Sequence, residues 1–299
     1  MTQRYRLLAV DMDGTLLDRR SQVDPVTVRA VRAAVAAGVH VILASGRAPR
    51  HMLEVHRQLR LETPIVAHNG ALVYDVGGQA VIHHEPIDLE VARRIAQMLK
   101  EHDPAINLHL ETQEGVVDRW NVETLDEGIL DSITRWKVEP PHSVGDVQRL
   151  LSDEATRVSK LWFHAPADVM AAIKRRMTAE MRDRIATLAF DDVTLTILSS
   201  GVSKASAVEW VATRYGVIQP EVMAIGDDLN DVPMLGWAGL GVAMANAKPV
   251  AWAVARATTG SNDEHGVAQA IRRWVLRPTG SPPAGPIGTT HRLRQESAG

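Results

Sequence analysis

The sequence predicts an α/β protein: a doubly wound parallel sheet interrupted by an inserted α+β segment. Three observations carry this. Short, nearly continuous apolar runs recur at Leu7–Val10, Val39–Ala44 and Val222–Ile225, as in strands covered on both faces by helices. Segments of helical period lie between such runs at both ends of the chain. From about residue 80 to 200 the pattern changes to alternating strands mixed with helices, the signature of an antiparallel sheet with one open face.

The elements follow in order. After the first strand, Asp24-Pro25 reads as an N-cap followed by Pro at the first helical position. Val28, Val31 and Val35 mark the inward face of that helix, and Gly38 stops it. Strand Val39–Ala44 leads through Ser45-Gly46-Arg47 into a helix containing Met52, Leu53 and Val55. Pro64–Ala67 is a third strand of the same sheet, ending at His68-Asn69-Gly70.

In the insert, residues 88–101 form a helix with Leu89, Ala92, Ile95, Ala96 and Leu99 on one face. Strands follow near Ile106–Glu111, Gly115–Trp120 and Arg157–Ala165, then a helix near Asp168–Met181, then strands near Arg184–Phe190 and Val193–Leu198. The α/β pattern resumes with a helix at Ser203–Tyr215, strand Val222–Ile225, a short helix through Met234 and Leu235, a strand near Leu240–Met244 and a last helix at Gly266–Val275. The expected division is a discontinuous core at 1–82 and 200–277, a cap at 83–199, and a disordered tail at 278–299, where periodicity gives way to Pro, Gly, Ser and Thr.

Composition bounds the chemistry. With 45% apolar and 23% charged residues, this is the make-up of an ordinary globular chain of 299 residues. The 33 basic and 36 acidic residues nearly balance, so nothing suggests a nucleic-acid or membrane partner. No apolar run approaches the ~18 residues of a membrane span, and no leader pattern opens the chain; the expected compartment is the cytoplasm. There is no cysteine, which excludes disulfides, thiolate metal sites and cysteine nucleophiles.

Four polar clusters stand at strand ends or helix starts: Asp11/Asp13, Ser45-Gly46-Arg47, Ser203-Lys204 and Asp227-Asp228-Leu229-Asn230-Asp231. An Asp-x-Asp alone is more simply a solvated turn, tied by Thr15 after Gly14. In an open parallel sheet, however, strand carboxyl ends converge on one crevice, so these groups can meet. Asp11 and Asp227 would make a hard oxygen site suited to Mg²⁺. Ser45 offers a hydroxyl donor, and Lys204 a compact positive charge for phosphoryl oxygens or the nucleophile. A carboxylate beside Mg²⁺ can attack phosphorus, and a second carboxyl nearby can protonate the leaving oxygen and then deprotonate water. Asp11 and Asp13 fit those tasks, provided Asp13 points away from the metal.

These motifs resemble those of the haloacid dehalogenase superfamily of phosphatases. Asp11-Met12-Asp13-Gly14-Thr15-Leu16-Leu17 is similar to the first motif, Ser45-Gly46-Arg47 to the second, Gly201-Val202-Ser203-Lys204 to the third and Gly226-Asp227-Asp228-Leu229-Asn230-Asp231 to the fourth. The resemblance covers residues 5–276. The insert lies between the second and third motifs, as in the Cof-type branch, which His68-Asn69-Gly70-Ala71 and Asn262–Ala268 also resemble. It implies a Rossmann-like core with a large α+β cap.

It also implies roles. Asp11 is the nucleophile and a Mg²⁺ ligand; Asp13 is the general acid/base and gives its backbone carbonyl to the metal; Asp227 is the third ligand. Ser45, Gly46, Asn69 and Asn230 bind the phosphate, Lys204 balances charge, and Asp231 orients the ligands. Ala205 stands where the branch usually has Gly, and Ser200 where Pro is common; neither changes a reacting group.

Other polar residues read more plainly. Asp228 is an exposed or supporting acid, and Arg47 suits a substrate contact and a loop salt bridge equally. The histidines read as structural or surface groups, with His68 open to a substrate role beside Asn69. Trp120, Trp136 and Trp162 read as packing rather than as a substrate platform. The implied activity is Mg²⁺-dependent hydrolysis of a small phosphate ester through a phospho-aspartate. The alternatives are a phosphomutase and a non-catalytic phospho-ligand sensor. Oligomeric state is not legible.

Overall fold

The computed structural model describes residues 4–276 apart from 115, 116, 128, 131–139 and 146. The expected tail at 278–299, Trp136 and the start of the strand placed at Gly115 lie outside the described residues.

The chain runs β1 (Leu7–Val10), α1 (Pro25–Ala36), β2 (His40–Leu43), α2 (Leu53–Leu59), β3 (Ile65–Ala67), β4 (Leu72–Asp75) and β5 (Ala80–His84). The insert follows with α3 (Leu89–His102), β6 (Leu108–Glu114), β7 (Val117–Val122), β8 (Ser143–Val144), α4 (Val147–Leu151), β9 (Val158–His164), α5 (Ala167–Met181), β10 (Ile185–Leu188) and β11 (Thr194–Ser199). The chain then continues with α6 (Lys204–Arg214), β12 (Val222–Gly226), α7 (Val232–Trp237), β13 (Leu240–Ala243), α8 (Pro249–Val254), β14 (Ala257–Thr258) and α9 (Gly266–Ala270), which runs on as a π-turn over Ile271–Val275. No helix among the described residues is long and apolar enough to cross a membrane.

The first sheet is parallel, in the order β14-β13-β12-β1-β2. Residues Leu7–Val10 are fully buried, which explains their unbroken apolarity. The chain leaves β1 toward β2 on one side, while β12 pairs on the other side, Val10 facing Ile225 in register. This change of direction opens a crevice beyond the carboxyl ends of β1 and β12.

Helix α1 is capped as the sequence predicts, Asp24 accepting from the Val26 and Thr27 N–H groups at 2.7 and 3.1 Å. Its inward face is different. Thr27, Ala30, Val31 and Ala34 are buried, while Val35 is 37% exposed. Small side chains let the helix approach the sheet, and the larger Val28 and Val35 fall to its margins. The third strand also departs from expectation. β3 pairs with the parallel sheet through the isolated Ala44–Val66 bridge and instead starts an antiparallel hairpin with β4 and β5. That hairpin turns at Asp75, which accepts from the Gly77 and Gly78 N–H groups.

The second sheet has the order β10-β11-β9-β6-β7-β8, antiparallel except for the last pair. Strand β6 starts two residues later than the sequence suggests. Alternate residues serve different faces. Leu108, Leu110, Leu161, Phe163, Leu195 and Ile197 pack on Ile95 and Leu99 of α3 and Ile173 of α5 in a separate hydrophobic core. Glu111, Trp120, Lys160, Trp162 and Thr196 point the other way and line a cavity shared with the parallel-sheet core.

Candidate active site

Asp11 follows β1, and one of its carboxylate oxygens accepts a hydrogen bond from Lys204 Nζ at 2.6 Å. The same ammonium donates to Asp231 Oδ1 at 2.7 Å. Lys204 opens α6, whose first turn is fixed by Ser203 Oγ accepting from the Ser206 N–H and Ser206 Oγ accepting from the Ser203 N–H. Its side chain is wholly buried. Burial alone would lower its proton affinity, but the Asp11 and Asp231 carboxylates outweigh that and raise its pKa above the usual lysine value.

Asp231 is also fully buried, and its second oxygen accepts from the N–H groups of Asp227 and Asp228 at 2.9 and 3.0 Å. It orients the loop after β12, the supporting position the motif implies. Thr15 donates to Asp227 Oδ1 at 2.7 Å. Between them lies Gly14, with φ of +80° and a position where any Cβ would stand 2.3 Å from Asp227 Oδ2. The turn therefore accepts only glycine.

The carboxylates of Asp11, Asp227 and Asp231 lie within 4.8 Å of one another. Burial raises the pKa of Asp11 well above the ordinary range, the Asp231 carboxylate adds to this, Lys204 opposes it, and Asp227 and Asp13 raise it further. Asp227 is pushed up to about 6, chiefly by burial. Asp231 is already occupied by Lys204 and two amides, so Asp11 and Asp227 are the donors left for a cation. An all-oxygen donor set short of positive charge fits a hard divalent ion.

Asp13 is not part of that cluster. Its carboxylate pairs with the guanidinium fork of Arg47, at 2.8 and 2.5 Å. Ser45 Oγ accepts from the Arg47 N–H at 3.2 Å. The loop is braced by residues 68–70: the His68 and Asn69 N–H groups donate to the Arg47 and Ser45 carbonyls, each at 3.0 Å. His68, Asn69 and Gly70 all have positive φ, and a Cβ on Gly70 would lie 2.0 Å from the Ser203 carbonyl. This tight loop thus packs the Ser45 turn against the start of α6.

A cavity of about 440 Å³ opens above these groups. Asp11, Asp13, Ser45, Gly46, Arg47, Asp228 and Asn230 form its floor. Asn69 does not reach the wall; it stands behind Gly46, its Oδ1 accepting from Asn230 at 2.8 Å. Asp228 pairs with Lys248 at 2.8 Å and is not one of the three clustered carboxylates.

The cap side of the cavity was not legible in the sequence. Glu111, Lys160, Trp162, His164 and Phe190 line it, and Arg50 and His51 reach the cavity from the core segment after β2. The alternation His109-x-Glu111 and Lys160-x-Trp162-x-His164 was the available signal, but it gains meaning only once the strand faces are assigned. His68, Glu111 and Asp118 also cluster within 4.8 Å, but cations already serve them. Arg50 pairs with Asp118 and lies 3.8 Å from Glu111, and Lys160 lies 3.8 Å from Glu111 while donating to the Gly46 carbonyl at 3.2 Å. His68 Nε2 contacts Asp118 Oδ1 at 2.7 Å. Burial, with Lys160 and Arg50 nearby, holds the pKa of His68 well below the usual histidine range. This network joins the cap sheet to the Ser45 loop.

The sequence profile of haloacid dehalogenase-like hydrolases matches residues 8–271. The chain is 30% identical over 281 residues to the 5-amino-6-(5-phospho-D-ribitylamino)uracil phosphatase YitU of Bacillus subtilis (strain 168), covering 92% of this chain and 99% of that protein. It is 30% identical over 289 residues to the phosphatase YwpJ of the same organism, covering 90% and 100%. A haloacid dehalogenase-like hydrolase from B. subtilis superposes with a TM-score of 0.79 at 25% identity, over 90% of this chain and 100% of that one. With four motifs converging on one crevice and a profile spanning both sheets, the chain belongs to the haloacid dehalogenase-like hydrolases and is a phosphatase of that family.

Proposed function

We propose that the protein hydrolyses the phosphate monoester of a small metabolite in two steps, through a phospho-Asp11 intermediate, with Mg²⁺ held by Asp11, Asp227 and the backbone carbonyl of Asp13. The observation that carries this is the buried ammonium of Lys204, shared between Asp231 and Asp11 of the cavity floor. That arrangement keeps one Asp11 oxygen fixed and leaves the other for phosphorus. Mg²⁺, when bound, would neutralise phosphoryl oxygens and lower the repulsion met by the attacking carboxylate.

Ser45 and the Gly46 backbone, with Asn230, would hold the phosphoryl group, and Asn69 would position Asn230. Asp13 would pass a proton to the leaving oxygen and later take one from water. Because the Arg47 fork occupies both Asp13 oxygens, the first transfer requires Arg47 to turn toward the incoming anion, which its geometry suits. The segment 83–199 would act as a cap over a core of 1–82 and 200–277, excluding bulk water during the transfer. The substrate class is that of small phosphorylated metabolites, to which the compound in the name of YitU also belongs.

Phosphate release measured across a panel of phosphate esters with Mg²⁺ tests the reading. Activity should vanish in Asp11→Asn while the circular dichroism spectrum is kept; retained Mg²⁺-dependent turnover in that variant would remove Asp11 as nucleophile. Isomerised ester in place of free phosphate would indicate a phosphomutase, and binding without turnover a sensor.

A further inference from the structure

The cap wall of the cavity is aromatic, in a chain where only 4% of residues are Phe, Trp or Tyr. On the cap sheet His109 faces Trp162 across β6 and β9, and Glu111 faces Trp120 across β6 and β7. The His109 and Trp162 rings stack with centroids 3.6 Å apart at 23°, and Trp120 lies near-parallel to Trp162 at 6.0 Å and 26°. Trp120 Nε1 donates to His109 Nδ1 at 3.2 Å, locking the stack. His164 stands edge-on to Trp162 at 5.4 Å. His109 thus covers one side of the Trp162 indole, which stays half-buried and lines the cavity.

Burial, and secondarily His164, pushes the pKa of His109 down to about 3, so at neutral pH the stack is uncharged. It is a rigid, flat, neutral surface above a strongly polar floor. Beside it Glu111 is 6% exposed, and its Oε2 has no hydrogen-bond partner among the described residues. Its nearest cations, Arg50 and Lys160, are each 3.8 Å away, beyond hydrogen-bond length. The wall therefore offers a stacking face beside the Glu111 carboxylate, which lines the same cavity between Arg50 and Lys160.

We propose that Trp162, backed by His109 and Trp120, selects phosphate esters whose leaving group carries a planar heteroaromatic ring, with Glu111 accepting a hydrogen bond from an N–H or O–H on that ring. This rests on the phosphatase reading above. A polyol chain or a hexose would meet the same wall with its hydroxyls against indole and imidazole faces that offer no partners. A flat ring instead gains stacking, worth about 1–3 kcal/mol per ring by alanine substitution in other aromatic platforms, or roughly 5- to 150-fold in affinity. A cavity of about 440 Å³ holds a phosphate, a short linker and one such ring.

The test compares pyridoxine phosphate with glycerol phosphate and ribitol phosphate on the wild type, Trp162→Leu and Trp162→Phe, all with Mg²⁺. The expected result is that kcat/KM of the wild type favours pyridoxine phosphate by at least about 10-fold. Trp162→Leu should lose that preference and Trp162→Phe should keep most of it, and both should keep the wild-type circular dichroism spectrum, which shows that they fold. Free pyridoxine should inhibit the wild type competitively, and ribitol should not. Equal or better turnover of the polyol esters by the wild type, or an equal loss on all three esters in Trp162→Leu, overturns the proposal and leaves the phosphatase reading intact. No phosphate release from any ester by the wild type would instead overturn the phosphatase reading, and the proposal with it.

Discussion

Replacing Lys204 by methionine removes a buried cation of similar length and leaves its partners in place. Its ammonium makes contacts of 2.6 and 2.7 Å to Asp11 and Asp231, and none of the Lys204 side chain is exposed. At an effective dielectric of ~20, each contact corresponds to about 6 kcal/mol of Coulomb attraction, most of it offset by the desolvation of the charges. Deleting one member of a buried pair typically costs about 3–5 kcal/mol, because the remaining charge is left uncompensated. Here two carboxylates lose their cation, with Asp227 within 4.8 Å of both. Lys204→Met should therefore lose about 3–5 kcal/mol at pH 7.5 in urea unfolding without added metal.

The deficit should also depend on pH. Lys204 holds down a proton affinity at Asp11 that burial has already raised, so its removal raises that pKa further. The variant then resembles the wild type more closely at pH 5, where the cluster takes up protons, than at pH 7.5, where it must carry charge. Millimolar Mg²⁺ should restore part of the loss at pH 7.5 without restoring turnover. A deficit below about 1 kcal/mol that does not change between pH 5 and 7.5 would refute Lys204 as the counter-ion of this cluster.

The folded pKa of Asp227, about 6, lies above its unfolded value of about 3.9. Its contribution to stability is complete below about pH 4 and is lost as pH rises through about 6, so Mg²⁺ should raise the melting temperature more at pH 7.5 than at pH 5. Asp227→Asn should abolish that difference in a thermal-shift assay; an unchanged Mg²⁺ response would place the cation elsewhere. Asp13→Ala should slow alkyl phosphate hydrolysis by about 10²–10⁴-fold, with a smaller effect on acetyl phosphate, whose leaving group needs no proton; equal losses on both would assign Asp13 another task. Gly14→Ala drives a methyl group toward Asp227 at a positive φ, so Mg²⁺ affinity measured by calorimetry should fall at least about 10-fold; unchanged affinity would show that the turn tolerates a side chain.

Much of the core was legible because its signals are local. The apolar runs of β1, β2 and β12, the Asp24 cap and the polar groups after the strands are set by neighbouring residues. Parallel topology then brings the strand ends together, so Asp11, Ser45, Lys204 and Asp227 could be placed in one crevice before their distances were known. Where local signals were weak, the sequence misled. The valines of α1 suggested a face of which only Val31 is buried, the sheet taking Thr27, Ala30 and Ala34 beside it, because close packing favours small side chains over bulkier ones. β3 read as a sheet strand, yet pairs chiefly with β4.

The sequence by itself determined the family, the parallel core and the residue types at the crevice, since these rest on motif order and short-range period. Tertiary structure alone decided their partners: that Arg47 holds Asp13, that Asp231 serves Lys204 and two amides, and that Asn69 stands behind the wall. It also decided which side of the cap sheet faces the cavity. A strand's alternation defines two faces but does not say which is covered by helices. Packing α3 and α5 on the leucine face left Glu111, Lys160 and Trp162 toward the crevice.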